Sequence, residues 1–316
     1  LVNLGEVKKA QQQISRLVHK TPVLTSGLLN ERTGNEVYLK AEHLQKTGSF
    51  KIRGATNAVK QAIQEGAQFI TAASSGNHGQ AVAYIADQLG VPATIVVPED
   101  ANRAKVAAIK AYNGKIVYCG LTSADRIPKA KQLAEENEGV YIPPYDHPLV
   151  IAGQGTIGLE LLEQVPDIEI IVVPVGGGGL ISGILTAVKE LNPDIRVIGV
   201  EPETANDTYL SLENKQITAI SGTTTIADGL RTSQPGQLTF PILQEFLDDL
   251  VLVTEDEIKE AFQFTLERTK QLIEPSSATA LAAVLSGKLE VRGKKIGVIL
   301  SGGNVDLKQI DQFLPE

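Results

Sequence analysis

Apolar positions along the chain fall into two alternating patterns. Short β-branched or apolar runs at Phe69 to Ala73, Ala93 to Val97, Ile116 to Tyr118, Ile168 to Val175, Val197 to Val200 and Ile296 to Leu300 read as strands. Between them lie stretches of helical spacing. One starts at Lys51 with Ile52, Ala55, Val59, Ala62 and Ile63 on a single side and ends near Gly66. Others run from about Asn77 to Leu89, Asn102 to Tyr112, Ser123 to Asn137 and Glu255 to Leu272. An opening amphipathic helix carries Val7, Ala10, Ile14, Leu17 and Val18 and leads to a turn at Thr21-Pro22. Apolar strands alternating with helices predict parallel strands covered on both faces and joined by right-handed crossovers. The expected fold is α/β, built of open parallel sheets.

With 316 residues, 42% of them hydrophobic, the chain has the length for two domains and can bury a large core. Tyr141-Ile142-Pro143-Pro144-Tyr145 has turn chemistry and marks a return from one domain to the other. No apolar stretch approaches a membrane span and no charged-then-apolar leader opens the chain, so the expected compartment is the cytoplasm. A net charge of −8 without long single-sign blocks disfavours nucleic acid as a partner. Cys119 is the single cysteine, which excludes an internal disulfide and a cysteine metal cluster. Met and Trp are absent, and this has no functional account.

Candidate chemistry gathers at four corners. Ser74-Ser75-Gly76-Asn77-His78-Gly79, Gly176-Gly177-Gly178-Gly179 and Ser301-Gly302-Gly303-Asn304 each directly follow a strand-like run. Residues without Cβ let backbone N–H groups approach an anion, and the tetraglycine enters a helix whose N-terminal dipole favours phosphate. A glycine run is also a plain strand-to-helix turn, but this one is neither Gly-x-Gly-x-x-Gly nor a P-loop, which weakens dinucleotide and NTP readings. The fourth corner, Thr47-Gly48-Ser49-Phe50-Lys51-Ile52-Arg53-Gly54, supplies an amine beside an aromatic ring. Desolvation there lowers a lysine pKa toward the range for Schiff-base chemistry. Lysine, phosphate cradle and polar cup together suggest pyridoxal phosphate.

In order and spacing, the Lys51 corner, Ser74 to Gln80, the tetraglycine, Glu274-Pro275-Ser276 and Ser301 to Asn304 resemble the serine racemase and threonine dehydratase family of fold-type II pyridoxal-phosphate enzymes, whose fold is tryptophan synthase β-like. The resemblance covers essentially the whole chain. It implies a large cofactor-binding domain of residues 1–68 and 147–316, a small mobile domain of residues 69–146, and a homodimer. Lys51 would carry the cofactor and then act as the base at Cα, with Phe50, Asn77, the four glycines and Ser301 binding the cofactor. Ser301, a neutral hydroxyl opposite the pyridine nitrogen, makes the ring a weaker electron sink than a carboxylate would. Ser74, Ser75, Gly76, Asn77 and His78 would grip the substrate carboxylate, joined by Arg126. Ser75 matches the serine that serves racemases as the acid/base on the face opposite the lysine.

The resemblance also implies a divalent cation. Glu201, Asp207 and the Ala205 carbonyl are hard oxygen ligands suited to Mg²⁺, or to Ca²⁺ or Mn²⁺, and their spacing matches the activating site of serine racemases and 3-hydroxyaspartate dehydratases. Gln80, Tyr112, Lys270 and Asn304 match positions that bind ATP as an activator at a subunit interface. No isoleucine-binding regulatory domain is expected. The implied activity is a cation-activated serine racemase that also dehydrates serine to pyruvate and ammonia. Its rivals are a threo-3-hydroxyaspartate dehydratase and a catabolic threonine/serine dehydratase; a nicotinamide oxidoreductase and a catalytically silent amino-acid-binding protein are disfavoured by the loop pattern and by Lys51.

Overall fold

A computed structural model describes residues 2–316. Its strands are β1 (Val23–Thr25), β2 (Glu36–Ala41), β3 (Ile70–Ala73), β4 (Ala93–Val97), β5 (Lys115–Tyr118), β6 (Val140–Tyr141), β7 (Ile170–Pro174), β8 (Arg196–Pro202), β9 (Asp249–Val253) and β10 (Lys295–Leu300). Six form one sheet in the order β1-β2-β10-β7-β8-β9, and four form a second in the order β5-β4-β3-β6. Every pairing is parallel except that of β1 with β2. The helices of the first half are α1 (Leu4–Ile14), α2 (Gly27–Thr33), α3 (Lys51–Gln64), α4 (Asn77–Gln88), α5 (Arg103–Ala111) and α6 (Ser123–Glu136). Those of the second are α7 (Pro148–Gln164), α8 (Gly179–Leu191), α9 (Asp207–Asn214), α10 (Thr239–Phe246), α11 (Glu255–Phe264) and α12 (Pro275–Leu285). Among the described residues no helix is long and apolar enough to cross a membrane.

The two sheets meet through α3 and α7. Apolar residues of α1 and α3 (Ile14, Ile52, Val59) share one core with those of the smaller sheet (Ile70, Ile95). Helix α7 is apolar nearly all round, so it shows no helical stripe and the hydrophobic pattern does not single it out. Its glycines explain how it fits. A Cβ on Gly153 would lie 2.6 Å from the Gly54 Cα, so the two helices cross with their backbones in contact. Behind this crossing Arg53 pairs with Glu42 and Glu160, and Lys40 with Glu160 at 2.7 Å, all buried. Two cations face two anions, and removing one partner would strand a buried charge at a cost of about 3–5 kcal/mol.

Two element ends differ from the sequence pattern. Helix α1 stops at Ile14, and Val18 reaches the core from the turn beyond it. The helix expected to reach Leu272 ends as α-helix at Phe264, continues as a π turn over Thr265–Thr269, and is halted where Lys270 takes a left-handed conformation at φ 61°.

Candidate active site

All four corners lie beyond the carboxyl ends of parallel strands β2, β3, β7 and β10, where open α/β sheets bind ligands. Two of them are stitched together by backbone. The Phe50 N–H donates to the Ser301 carbonyl at 3.0 Å, and the Gly303 N–H to the Gly48 carbonyl at 2.9 Å. Lys51 then opens α3. Its Nζ donates to the Pro144 carbonyl at 2.7 Å and sits 5.3 Å from the centre of the Phe50 ring. Burial lowers its pKa to about 8, against an opposing pull from Glu274.

Glu274 links three of the corners. It accepts from Asn77 Nδ2 at 2.8 Å and from the Asn304 N–H at 3.0 Å, while Asn304 Nδ2 donates to Asn77 Oδ1 and to the Thr47 carbonyl, both at 2.8 Å. Burial, with the charge of Asp228 adding to it, pushes the Glu274 carboxyl up to about 8. The sequence motif contains Glu274, yet nothing in its pattern marks it as the buried hub of this network.

Helix starts differ in what closes them. Helices α1, α2, α5, α6, α7 and α11 are each capped by a side chain, from Asn3, Ser26, Asn102, Thr122, His147 and Thr254. Helices α3, α9, α10 and α12 also lack a bond from the N-cap side chain, but only α4 and α8 begin at glycines, Gly76 and Gly178, which have no side chain to cap them, so their first-turn N–H groups stay open to an anion. Gly178 sits at φ 93°, a conformation glycine adopts without penalty.

The residues expected to grip the substrate divide by what their side chains do. Ser74 Oγ accepts from the Gly76 N–H at 3.2 Å and shapes the turn, and Ser75 sits half-buried within it. The His78 ring points inward, with Nε2 2.8 Å from the Ile142 carbonyl. Burial and the nearby Lys51 charge push its pKa down to about 3, so it is neutral, and its backbone N–H is what it can offer a carboxylate. Arg126, half-buried in the first turn of α6, donates to the Leu121 carbonyl at 3.1 Å and to Ser123 Oγ at 3.3 Å, which ties it to its own loop.

Of the nucleotide set, Asn304 belongs to the Glu274 network and Gln80 is buried in α4. Tyr112 packs edge-on against Tyr84 with ring centres 5.4 Å apart, and exposed Lys270 donates to the Glu267 carbonyl. No hydrogen bond joins these four to one another among the described residues.

Glu201 and Asp207 are both fully buried. Glu201 accepts the Thr208 N–H at 3.0 Å and the Tyr209 N–H at 2.9 Å, capping α9, while Asp207 Oδ2 accepts from Thr232 Oγ1 at 3.4 Å and Oδ1 has no partner. Burial, then the Asp207 charge, raises Glu201 to about 8, and burial raises Asp207 to about 7. Paired buried carboxylates with an orphaned oxygen fit a hard cation. Among the described residues no cluster of three or more His, Cys, Asp or Glu side chains forms, so an ion here would need the Ala205 carbonyl and water as well.

Comparison with known proteins agrees with this architecture. The family described as pyridoxal-phosphate dependent enzyme matches residues 14–302, and the chain belongs to it. The chain is 48% identical to the serine racemase of Dictyostelium discoideum, over 99% of its own length and 98% of the relative's. It is 46% identical to the L-threo-3-hydroxyaspartate ammonia-lyase of Saccharomyces cerevisiae, over 96% and 94%. The structure of maize serine racemase superposes with a TM-score of 0.95 at 40% identity, covering 98% of this chain and 96% of that one. The protein is a pyridoxal-phosphate-dependent enzyme of fold type II.

Proposed function

We propose that the protein racemises serine and also eliminates water from it, with pyruvate and ammonia as the net products. The observation that carries this reading is the pair of helices that start uncapped at a glycine, α4 and α8, gathered about one lysine of lowered pKa. Bound pyridoxal phosphate supplies an electron sink that makes the Cα proton of an attached amino acid labile. The tetraglycine N–H groups would hold its phosphate, and Ser301 would serve its ring nitrogen. N–H groups of Ser74 to His78 hold the substrate carboxylate, with Arg126 as a further partner once it leaves its loop. The Lys51 amine, with its pKa near 8, takes and returns the Cα proton on one face. Ser75 does so on the other, which is what inversion needs. Residues 69–146 act as the smaller domain that moves as substrate enters, and the Lys105–Asp228 ion pair bridges the two domains.

A second reading, favoured by the similarity to the yeast enzyme, is a threo-3-hydroxyaspartate or threonine/serine dehydratase. Chiral product analysis with L-serine, L-threonine and L-threo-3-hydroxyaspartate separates the two. D-Serine together with pyruvate from L-serine is expected; faster turnover of the other two without any D-serine favours the dehydratase. We further propose that the enzyme is a cytoplasmic homodimer. An activating ATP at its interface would use Gln80, Tyr112, Lys270 and Asn304.

Glu201, Asp207 and the Ala205 carbonyl hold a divalent cation in this reading, which gives a pH-dependent expectation. The raised carboxyl pKa values mean that the ion-free native state keeps its protons more tightly than the unfolded chain. Its stability is therefore unaffected below the ordinary carboxylate range, and declines as pH rises toward about 8. A bound cation replaces those protons and removes the decline. Mg²⁺ at a hundred times its dissociation constant should raise the melting temperature by about 3–8 °C at pH 8 and by less at pH 6. Glu201→Gln should abolish that rise. Identical melting with Mg²⁺ and with chelator at both pH values would leave the site an ordinary buried acid pair.

A further inference from the structure

Three consecutive residues, Pro144, Tyr145 and Asp146, each meet a different part of the cofactor site. The Pro144 carbonyl accepts Lys51 Nζ at 2.7 Å. The Asp146 carboxylate accepts the N–H groups of Gln237 at 2.9 Å and Leu238 at 2.8 Å. That loop in turn holds the tetraglycine, because Thr239 Oγ1 donates to the Gly177 carbonyl at 2.7 Å. Tyr145 touches the tetraglycine itself. A Cβ added to Gly177 would lie 2.5 Å from Cδ1, Cδ2 and Cε1 of the Tyr145 ring, so the ring lies face-on over the Gly177 Cα. A Cβ on Gly179 would lie 2.8 Å from the Tyr145 Cβ and 3.2 Å from its carbonyl oxygen.

These contacts give the tetraglycine a reason beyond anion approach. A methyl group at 177 or 179 would collide with Tyr145 before any ligand entered. We propose that Tyr145 is a positioning residue for the cofactor: its ring sets the path of the Gly177 to Gly179 backbone, and hence where the phosphate-binding N–H groups converge. Because Pro144 is bonded to Tyr145 and touches Lys51, this short belt fixes the distance between the amine that captures the cofactor and the cradle that holds its phosphate. Tyr145 hydroxyl makes no hydrogen bond among the described residues, so the flat ring is the part that acts.

The inference rests on the tetraglycine binding the cofactor phosphate, and the test keeps the two apart. Pyridoxal phosphate is titrated into cofactor-stripped protein, with uptake followed by fluorescence and by the rise in melting temperature that it produces. Tyr145→Ala should raise the dissociation constant about tenfold or more, whereas Tyr145→Phe should stay close to wild type. Should the alanine variant fail to fold, Tyr145→Leu keeps the bulk but not the planar face and should also weaken uptake. The sharper test is compensation. Gly177→Ala should bind poorly, and adding Tyr145→Ala should restore part of the loss. Equal binding by wild type and both Tyr145→Ala and Tyr145→Leu overturns the proposal, as does a double variant that binds no better than Gly177→Ala alone. A wild-type protein that takes up no pyridoxal phosphate would defeat the cradle reading, and the role of Tyr145 with it.

Discussion

Lys51→Ala is expected to remove the visible absorbance of covalently held cofactor and to lower turnover by about three orders of magnitude or more. Among the described residues no other lysine is so placed. Its Nζ is anchored by the Pro144 carbonyl, faces the Phe50 ring, and has its pKa brought to about 8 by burial. In the proposed reading the cradle is built from other residues, namely the glycine start of α8, Asn77 and Ser301. The variant should therefore still bind pyridoxal phosphate without forming the covalent bond. Borohydride reduction followed by peptide mapping checks this directly: the wild type should carry the added mass on Lys51 and the variant on no residue. A second consequence concerns rate. Capture of the cofactor needs the neutral amine, whose fraction grows as pH passes through about 8, so reconstitution of stripped wild-type protein should quicken across that window. Variant protein with normal absorbance and turnover would take Lys51 out of the reaction.

How much of this was legible in the sequence follows from which interactions are local. The strands read from β-branched runs appear as β3, β4, β5, β7, β8 and β10, because a strand covered on both faces is apolar throughout. The turns that end β3, β7 and β10 were legible for a related reason: glycine and serine clusters directly after such runs are local signals. Helix α7 was not, since burial on nearly all sides removes the stripe that reveals a helix. Strands β1 and β2 also went unread; β1 is three residues long, and its partner is chosen by antiparallel pairing with β2.

Glu274 shows the same limit within the site. Its role comes from Asn77 and Asn304, which lie 197 and 30 residues away in the chain. Tyr145 was legible only as part of a turn. Its contact with Gly177 depends on where the return from the smaller sheet happens to pass. Residue type and spacing could bring Lys51, the tetraglycine and Ser301 to notice. They could not reveal that the His78 ring turns away toward Ile142, or that Arg126 bonds to its own loop.

Ser75→Ala should separate the two activities. Inversion at Cα requires a proton to leave one face and another to arrive on the opposite face, and a single base can only return the proton to the side from which it came. With Lys51 serving one face, D-serine formation from L-serine should fall about 100-fold or more once the Ser75 hydroxyl is gone. Elimination from L-serine, which in the proposed reading starts at Lys51, should fall less than about tenfold, because the carboxylate grip proposed for backbone N–H groups is one that the substitution leaves in place. Elimination from D-serine should suffer most, since its Cα proton points toward the missing hydroxyl. Ser74→Ala is the control: Ser74 Oγ accepts the Gly76 N–H and shapes the turn, so its loss should slow both activities together. Chiral chromatography and pyruvate release measured on the same samples give the ratio directly. An unchanged ratio in Ser75→Ala would make Ser75 a substrate clamp, and a wild type that yields pyruvate from L-serine without detectable D-serine would put the dehydratase reading first.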